Sequence, residues 1–186
     1  MSKSKKAFTI IEVVLVLAVS GLLFIMVFIA FPALKNGQKR IQREDDLSRI
    51  AGLAITYRAD HGNLSPFRSP DAALDFVEKY LDDGCVGHGK ISGNKVSFSS
   101  CGAHFSDPDG SPYGFEIFGE LEGDLGEVIE IDSDSFSGNM ESHLMRVYEK
   151  AACGGGEFRV RVSENMSDFA IIYVEPTGVS FCYDNQ

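Results

Sequence analysis

Positive charge is scarce in this chain of 186 residues. Lys and Arg number 17 against 27 Asp and Glu, a formal net charge of −10. That balance argues against a general nucleic-acid-binding surface, which needs cations to face phosphates. The nucleotide and metalloprotease signatures are missing as well. There is no strand–GxxxxGK[ST]–helix, no GxGxxG and no HExxH. His61, His88, His104 and His143 are scattered. Nothing marks a catalytic Ser/Cys–His pair, so the chain is not read as an enzyme and no cofactor is expected.

Charge is also absent from Val13 to Leu34. That run of about 22 residues would reach about 33 Å as a helix, enough to cross a hydrocarbon core. A soluble core helix is seldom apolar on every face for so long. The run, FTIIEVVLVLAVSGLLFIMVFIAFPAL from Phe8, follows Lys3, Lys5 and Lys6. It exceeds the apolar region of a cleaved secretory signal, about 7–15 residues, and no small-residue cleavage site follows it. Glu12 lies on its apolar side. An intramembrane carboxylate is costly and asks for a partner, yet no cation lies near it on that side. The partner is therefore expected from outside the helix.

After Pro32 the pattern turns amphipathic. Leu47, Ile50, Ala51, Ala54 and Tyr57 recur at helical spacing, and Lys39, Arg40, Arg43, Glu44, Asp45 and Asp46 fill the other faces. The charged stretch reads first as a solvated face and second as a surface for charge pairing between subunits. One helix is predicted from about Phe8 to about Asp60, stopped by Gly62. Ser69, Pro70 and Asp71 open a second helix with Ala73, Leu74, Val77, Tyr80 and Leu81 on its apolar face, ended by Gly84. Strands are predicted at Tyr113–Phe118, Val128–Ile131, Phe158–Val162, Phe169–Glu175 and Val179–Tyr183, the last two as a hairpin across Pro176, Thr177 and Gly178. Met140 to Ala152 reads as a short helix with Leu144, Val147 and Tyr148 inward. The fold class is α+β: a long N-terminal helix packed on a C-terminal antiparallel sheet. The segments are 1–7, 8–34, 35–60 and a head at 61–186, long enough for its own core.

Lys5-Lys6-Ala7-Phe8-Thr9-Ile10-Ile11-Glu12 resembles the class III leader of type IV pilins and their pseudopilin relatives. The resemblance implies that a prepilin peptidase cuts between Ala7 and Phe8, and that Phe8 is then N-methylated. It places the family's glutamate on Glu12, whose cationic partner would be the mature amino terminus of a neighbouring subunit. A desolvated opposite-charge pair is favoured over a lone buried carboxylate. Loss of residues 1–7 removes three lysines and makes the chain still more acidic. The sequence departs from the family at Ala7, where Gly is usual, and at Pro32, about three residues later than usual; Gly21 matches the family's helix-breaking glycine. Tyr57, Asp60, Gly62 and Pro66 are similar to the helix-end pattern of pseudopilins and many pilins, with Leu64 where Tyr is common. Asp107-Pro108-Asp109-Gly110-Ser111-Pro112-Tyr113 resembles a segment of major pseudopilins, with Asp109 where Trp is usual.

The resemblance implies a major or minor pilin. It would reside in the inner (cytoplasmic) membrane as a single-pass protein and later in an extracellular filament. Its partners would be copies of itself, other pilins, the peptidase, the assembly platform and the motor ATPase. The alternatives are a pseudopilin of type II secretion and, in another class, a single-pass anchored enzyme or ligand-binding module. The cations on both sides of the span, Lys3, Lys5 and Lys6 before and Lys35, Lys39, Arg40 and Arg43 after, leave orientation to the resemblance. With the head outside the cytoplasm, disulfides are the default for Cys85, Cys101, Cys153 and Cys182. Cys85–Cys101 would close a small hairpin around Val96 and Phe98, and Cys153–Cys182 would tie down the C-terminal sheet. Two metal readings stand beside these: zinc on Cys85, His88, Cys101 and His104, and calcium on Asp107, Asp109 and Glu116. For the latter segment plain turn chemistry is the simpler reading.

Overall fold

A computed structural model describes residues 9–81, 84–102, 105–131, 143–156, 158–165, 168–175 and 180–185. The chain divides into two compact units, Met1–Ile41 and Gln42–Gln186. Helix α1, Ile10–Asp60, contains Pro32 in its interior. In the first unit the apolar side chains of α1 are exposed all round, from Ile10 to Leu34. The helix is long and apolar enough to cross a membrane.

The second unit is α+β. Leu47, Ile50, Ala51, Ala54 and Tyr57 of α1 are buried in its core. The helix ends in a Schellman motif: the N–H of Asn63 donates to the carbonyl of Arg58 at 2.8 Å, and Gly62 takes φ 65°. A glycine at that left-handed position avoids the Cβ penalty. Helix α2, Pro70–Phe76, is capped by Ser69, whose Oγ accepts from the N–H of Ala72. It widens into a π-helical turn, Val77–Leu81.

Among the described residues nine strands follow: β1 Gly89–Ser92, β2 Lys95–Phe98, β3 Gly114–Glu120, β4 Val128–Glu130, β5 Leu144–Glu149, β6 Ala151–Cys153, β7 Arg159–Val162, β8 Phe169–Val174 and β9 Ser180–Asp184. A six-stranded sheet has the order β1-β2-β3-β5-β8-β9, and a three-stranded sheet the order β4-β7-β6. Every pairing is antiparallel except β3 with β5. The large sheet has a core on each face. One gathers Phe98, Phe115, Met145, Val147, Phe169, Ile171 and Tyr173 with the buried stripe of α1 and with Phe67 and Phe76. The other gathers Tyr148, Ala170, Ile172 and Val174 with Ala151, Val160 and Val162 of the small sheet. Strand β8 is thus covered on both sides, which explains a run, FAIIYV, that is apolar at every position.

Met140 to Ala152 corrects the sequence reading. Its described part is not a helix but strands β5 and β6. Met145 and Val147 point into one core with a period of two, while Leu144, Val147 and Tyr148 only imitate helical spacing. Lys150 turns the chain from one sheet to the other at φ 53°. Its N–H donates to the carbonyl of Asp168 at 2.7 Å. The turn at Pro176–Gly178 lies outside the described residues.

Cys153 and Cys182 are joined, as are Cys85 and Cys101. The first bridge ties β6 to edge strand β9 across 29 residues. Replacing both Cys153 and Cys182 with Ser is expected to lower the unfolding free energy by about 3–4 kcal/mol, read by denaturant titration without reductant.

Candidate functional site

Two polar constellations stand out, one at the start of α1 and one on its C-terminal half. The first begins at Thr9. Its N–H donates to Glu12 Oε2 at 3.1 Å, its hydroxyl donates to the same oxygen at 3.0 Å, and the N–H of Glu12 donates back to Thr9 Oγ1 at 3.4 Å. This is a capping box, T-x-x-E, closing the first turn of the apolar helix. The sequence reading treated Glu12 as having no partner in its own helix. Thr9 corrects that, because it satisfies part of the carboxylate locally. Thr9 carries no charge, so the negative charge itself is not neutralised there. Ala7 and Phe8 lie outside the described residues.

The second constellation is buried in the head. Arg43 makes a two-pronged contact with Asp107, Nε to Oδ2 at 2.6 Å and Nη2 to Oδ1 at 2.9 Å. Its Nη1 donates to Glu175 Oε1 at 3.0 Å. Tyr173 donates its hydroxyl to Asp107 Oδ2 at 2.7 Å, and Tyr113 donates to Asp46 Oδ2 at 3.1 Å. The two tyrosine rings meet edge to face. The Asp107 side chain is fully buried and that of Arg43 only 9% exposed. Around Asp107 the chain turns tightly: Gly110 N–H donates to the Asp107 carbonyl at 2.7 Å, and Asp107 N–H to the Ser111 carbonyl at 2.8 Å. The D-P-D-G-S-P-Y turn is thus pinned to α1 by one guanidinium.

The electrostatics follow from burial and pairing. Burial pushes the Asp107 carboxyl up, but the hydrogen bonds from Arg43 and Tyr173 outweigh it and hold the group below its ordinary value. The bond to Asp107 pushes Arg43 above its ordinary value, so it stays charged. Burial, with nearby carboxylates, pushes the Tyr113 and Tyr173 hydroxyls up, keeping both as neutral donors. Such a site is a structural clamp.

Arg43 was not singled out from the sequence, where it reads as one of several solvated cations. The available signal was its spacing. Arg43 precedes Leu47, Ile50, Ala54 and Tyr57 on the same helical stripe, so it extends the core face by one turn.

The two metal sets fare as follows. Cys85 and Cys101 share a disulfide, so neither sulfur offers a thiolate to zinc. His88 is exposed beside them, and His104 lies outside the described residues. For calcium, Asp107 and Asp109 come together with His143 rather than with Glu116. Both oxygens of Asp107 are taken by Arg43. Glu116 instead faces Arg146 at 3.0 Å and Lys95 at 3.6 Å. A groove of about 680 Å³ runs by β1 and β2, lined by His88, Lys90, Ser97, Tyr113 and His143 among others.

Fold and sites together define a chain whose N-terminal helix is long and apolar enough to cross a membrane and whose α+β head carries two disulfides. Comparison with protein-family models, with curated proteins and with solved structures finds no match.

Proposed function

We propose that this chain is a pilin-like filament subunit, cut before Phe8, N-methylated there and polymerised through α1. One observation carries the reading. A carboxylate, Glu12, sits in the first turn of a helix whose next twenty or so residues expose apolar side chains on every face. A lone anion in hydrocarbon is expensive, and the local cap from Thr9 leaves its charge uncompensated. The new amino group of a neighbouring Phe8 supplies the missing cation. In a filament the apolar halves pack against one another, and the heads face water. Much of that packing replaces lipid contacts, so close fit and the Glu12 pair select the arrangement. The chain then resides in the inner membrane before assembly and in an extracellular filament afterwards. A secretion pseudopilin is the second reading. It is favoured by the Asp107–Tyr113 turn, which resembles that of major pseudopilins and is clamped to α1.

Mass spectrometry of the mature N-terminus tests the proposal. The expected species starts at N-methylated Phe8. Recovery of the chain with Met1 intact, or with an unmodified Phe8, would falsify the reading in favour of a plain membrane anchor.

A further inference from the structure

The groove beside β1 and β2 lies wholly within the second unit. Its walls follow from strand register. Lys90 pairs with Ser97, and the N–H of Ser99 donates to the carbonyl of His88 at 3.1 Å. Val96 and Phe98 of β2 point into the core shared with α1. Residues two apart on a strand share a face, so His88, Lys90, Ser97 and Ser99 form one block on the opposite side. Beyond β2 comes Gly114, where a Cβ would meet the Val96 carbonyl at 2.6 Å, so the floor stays free of a side chain there. Ser111 and Pro112 continue the wall.

The charge of the groove differs from that of the chain. The sequence holds 27 Asp and Glu against 17 Lys and Arg, yet among the described residues no carboxylate lines the groove. Lys90 is exposed and pairs with no described carboxylate. The Ser97 and Ser111 hydroxyls have no hydrogen-bond partner among the described residues. At the β5 end, Asp109 Oδ2 lies 3.7 Å from His143 Nε2, so negative charge is already supplied there. A ligand anion is therefore drawn to the β1 end.

We propose that this groove binds an acidic saccharide, with its carboxylate on Lys90 and its hydroxyls along Ser97, Ser99 and Ser111. The ammonium offers three donors to a carboxylate. A serine hydroxyl both donates and accepts, as a sugar hydroxyl does, so the serines match neutral hydroxyls without adding charge. Pro112 and Leu144, both half-buried, give the C–H face of a sugar ring an apolar surface. From β1 to β5 the sheet crosses three strand spacings, about 14 Å. That width and a volume of about 680 Å³ suit an extended organic ligand better than a bare inorganic anion. Exposed charge contacts are individually weak, so one head is expected to bind with a dissociation constant on the order of 1 mM. The groove belongs to the head, so its role does not depend on processing before Phe8.

The test uses the full-length chain in phosphatidylcholine nanodiscs with trigalacturonate as the probe, read by saturation transfer from protein to sugar protons. Binding is expected, and its affinity should fall as salt is raised. Maltotriose, which is neutral, and tri-glutamate, which is acidic but has no ring hydroxyls, should each bind about tenfold more weakly. Lys90→Glu should weaken trigalacturonate binding about tenfold, and Ser97→Ala combined with Ser111→Ala about fivefold, with native near-ultraviolet dichroism retained. The two control ligands are compared on the parent chain, so the test stands even where a variant fails to fold. No transfer at about 10 mM trigalacturonate overturns the proposal. So does equal affinity for either control ligand, or an affinity left unchanged by Lys90→Glu or by the serine pair.

Discussion

Arg43→Met is expected to destabilise the head by about 3–5 kcal/mol at neutral pH, a large share of the about 5–15 kcal/mol that holds a typical domain folded. The substitution keeps the apolar stem but removes the guanidinium. Asp107, whose side chain is fully buried, then loses its guanidinium, and Glu175 loses its contact with Arg43. Leaving a buried charge unpaired costs far more than the intact pair contributes. Arg43→Lys should recover only part of the loss, because an ammonium cannot reproduce the two-pronged contact with Asp107. The chain has no tryptophan, so tyrosine near-ultraviolet dichroism, to which Tyr113 and Tyr173 contribute, follows unfolding in denaturant. A midpoint for Arg43→Met equal to that of the parent chain would contradict the clamp.

The same cluster sets a pH signature. In the parent chain the folded-state value of Asp107 lies below its unfolded value. Its contribution is therefore complete above the unfolded value, about 3.9, and fades as pH falls through the folded one. In Arg43→Met the guanidinium no longer lowers the carboxyl while burial still raises it, so the folded-state value rises relative to the parent and the cost of the buried charge is relieved on protonation. The gap between variant and parent should narrow as pH falls from neutrality towards the ordinary carboxylate range. A constant gap would mean that lost packing, not buried charge, accounts for the effect.

Much of the fold is legible in sequence because local rules agree there. The Leu47–Tyr57 stripe, the Ser69-Pro70-Asp71 start and the Gly62 stop all match the structure. The misreading at Met140 to Ala152 arose where the rules conflict. Six residues, LMRVYE, satisfy both a helical and a strand spacing, and only the neighbours β3 and β8 on either side decide the matter. Arg43 was obscure for a related reason. Its partners lie 64 and 132 residues away, so no local pattern marks it as buried. Thr9 was legible in principle, since T-x-x-E before an apolar run is a helix-start signature. Glu12, the one charge beside the apolar run, stands out more than Thr9, its neighbour.

That neighbour makes the role of Glu12 separable by experiment, because the capping box and the charge pair need different things. A cap needs an acceptor at position 12, and Gln provides one as well as Glu. A pair with a neighbouring amino group needs a negative charge. Glu12→Gln therefore keeps the helix start and loses only the charge. If the charge selects partners, this variant inserts in the membrane at parent levels but fails to form filaments. Loss of a desolvated pair of about 3 kcal/mol corresponds to roughly a hundredfold drop in association. Thr9→Ala does the opposite, costing the cap about 1 kcal/mol while leaving the carboxylate in place. It should assemble with modestly reduced yield. Sedimented filament, normalised to the membrane-inserted pool, measures both. Parent-level filament from Glu12→Gln would reassign Glu12 to capping alone, and a collapse confined to Thr9→Ala would point the same way. Combining the two substitutions checks independence: the losses multiply if cap and charge act separately, and coincide if one exists only to position the other.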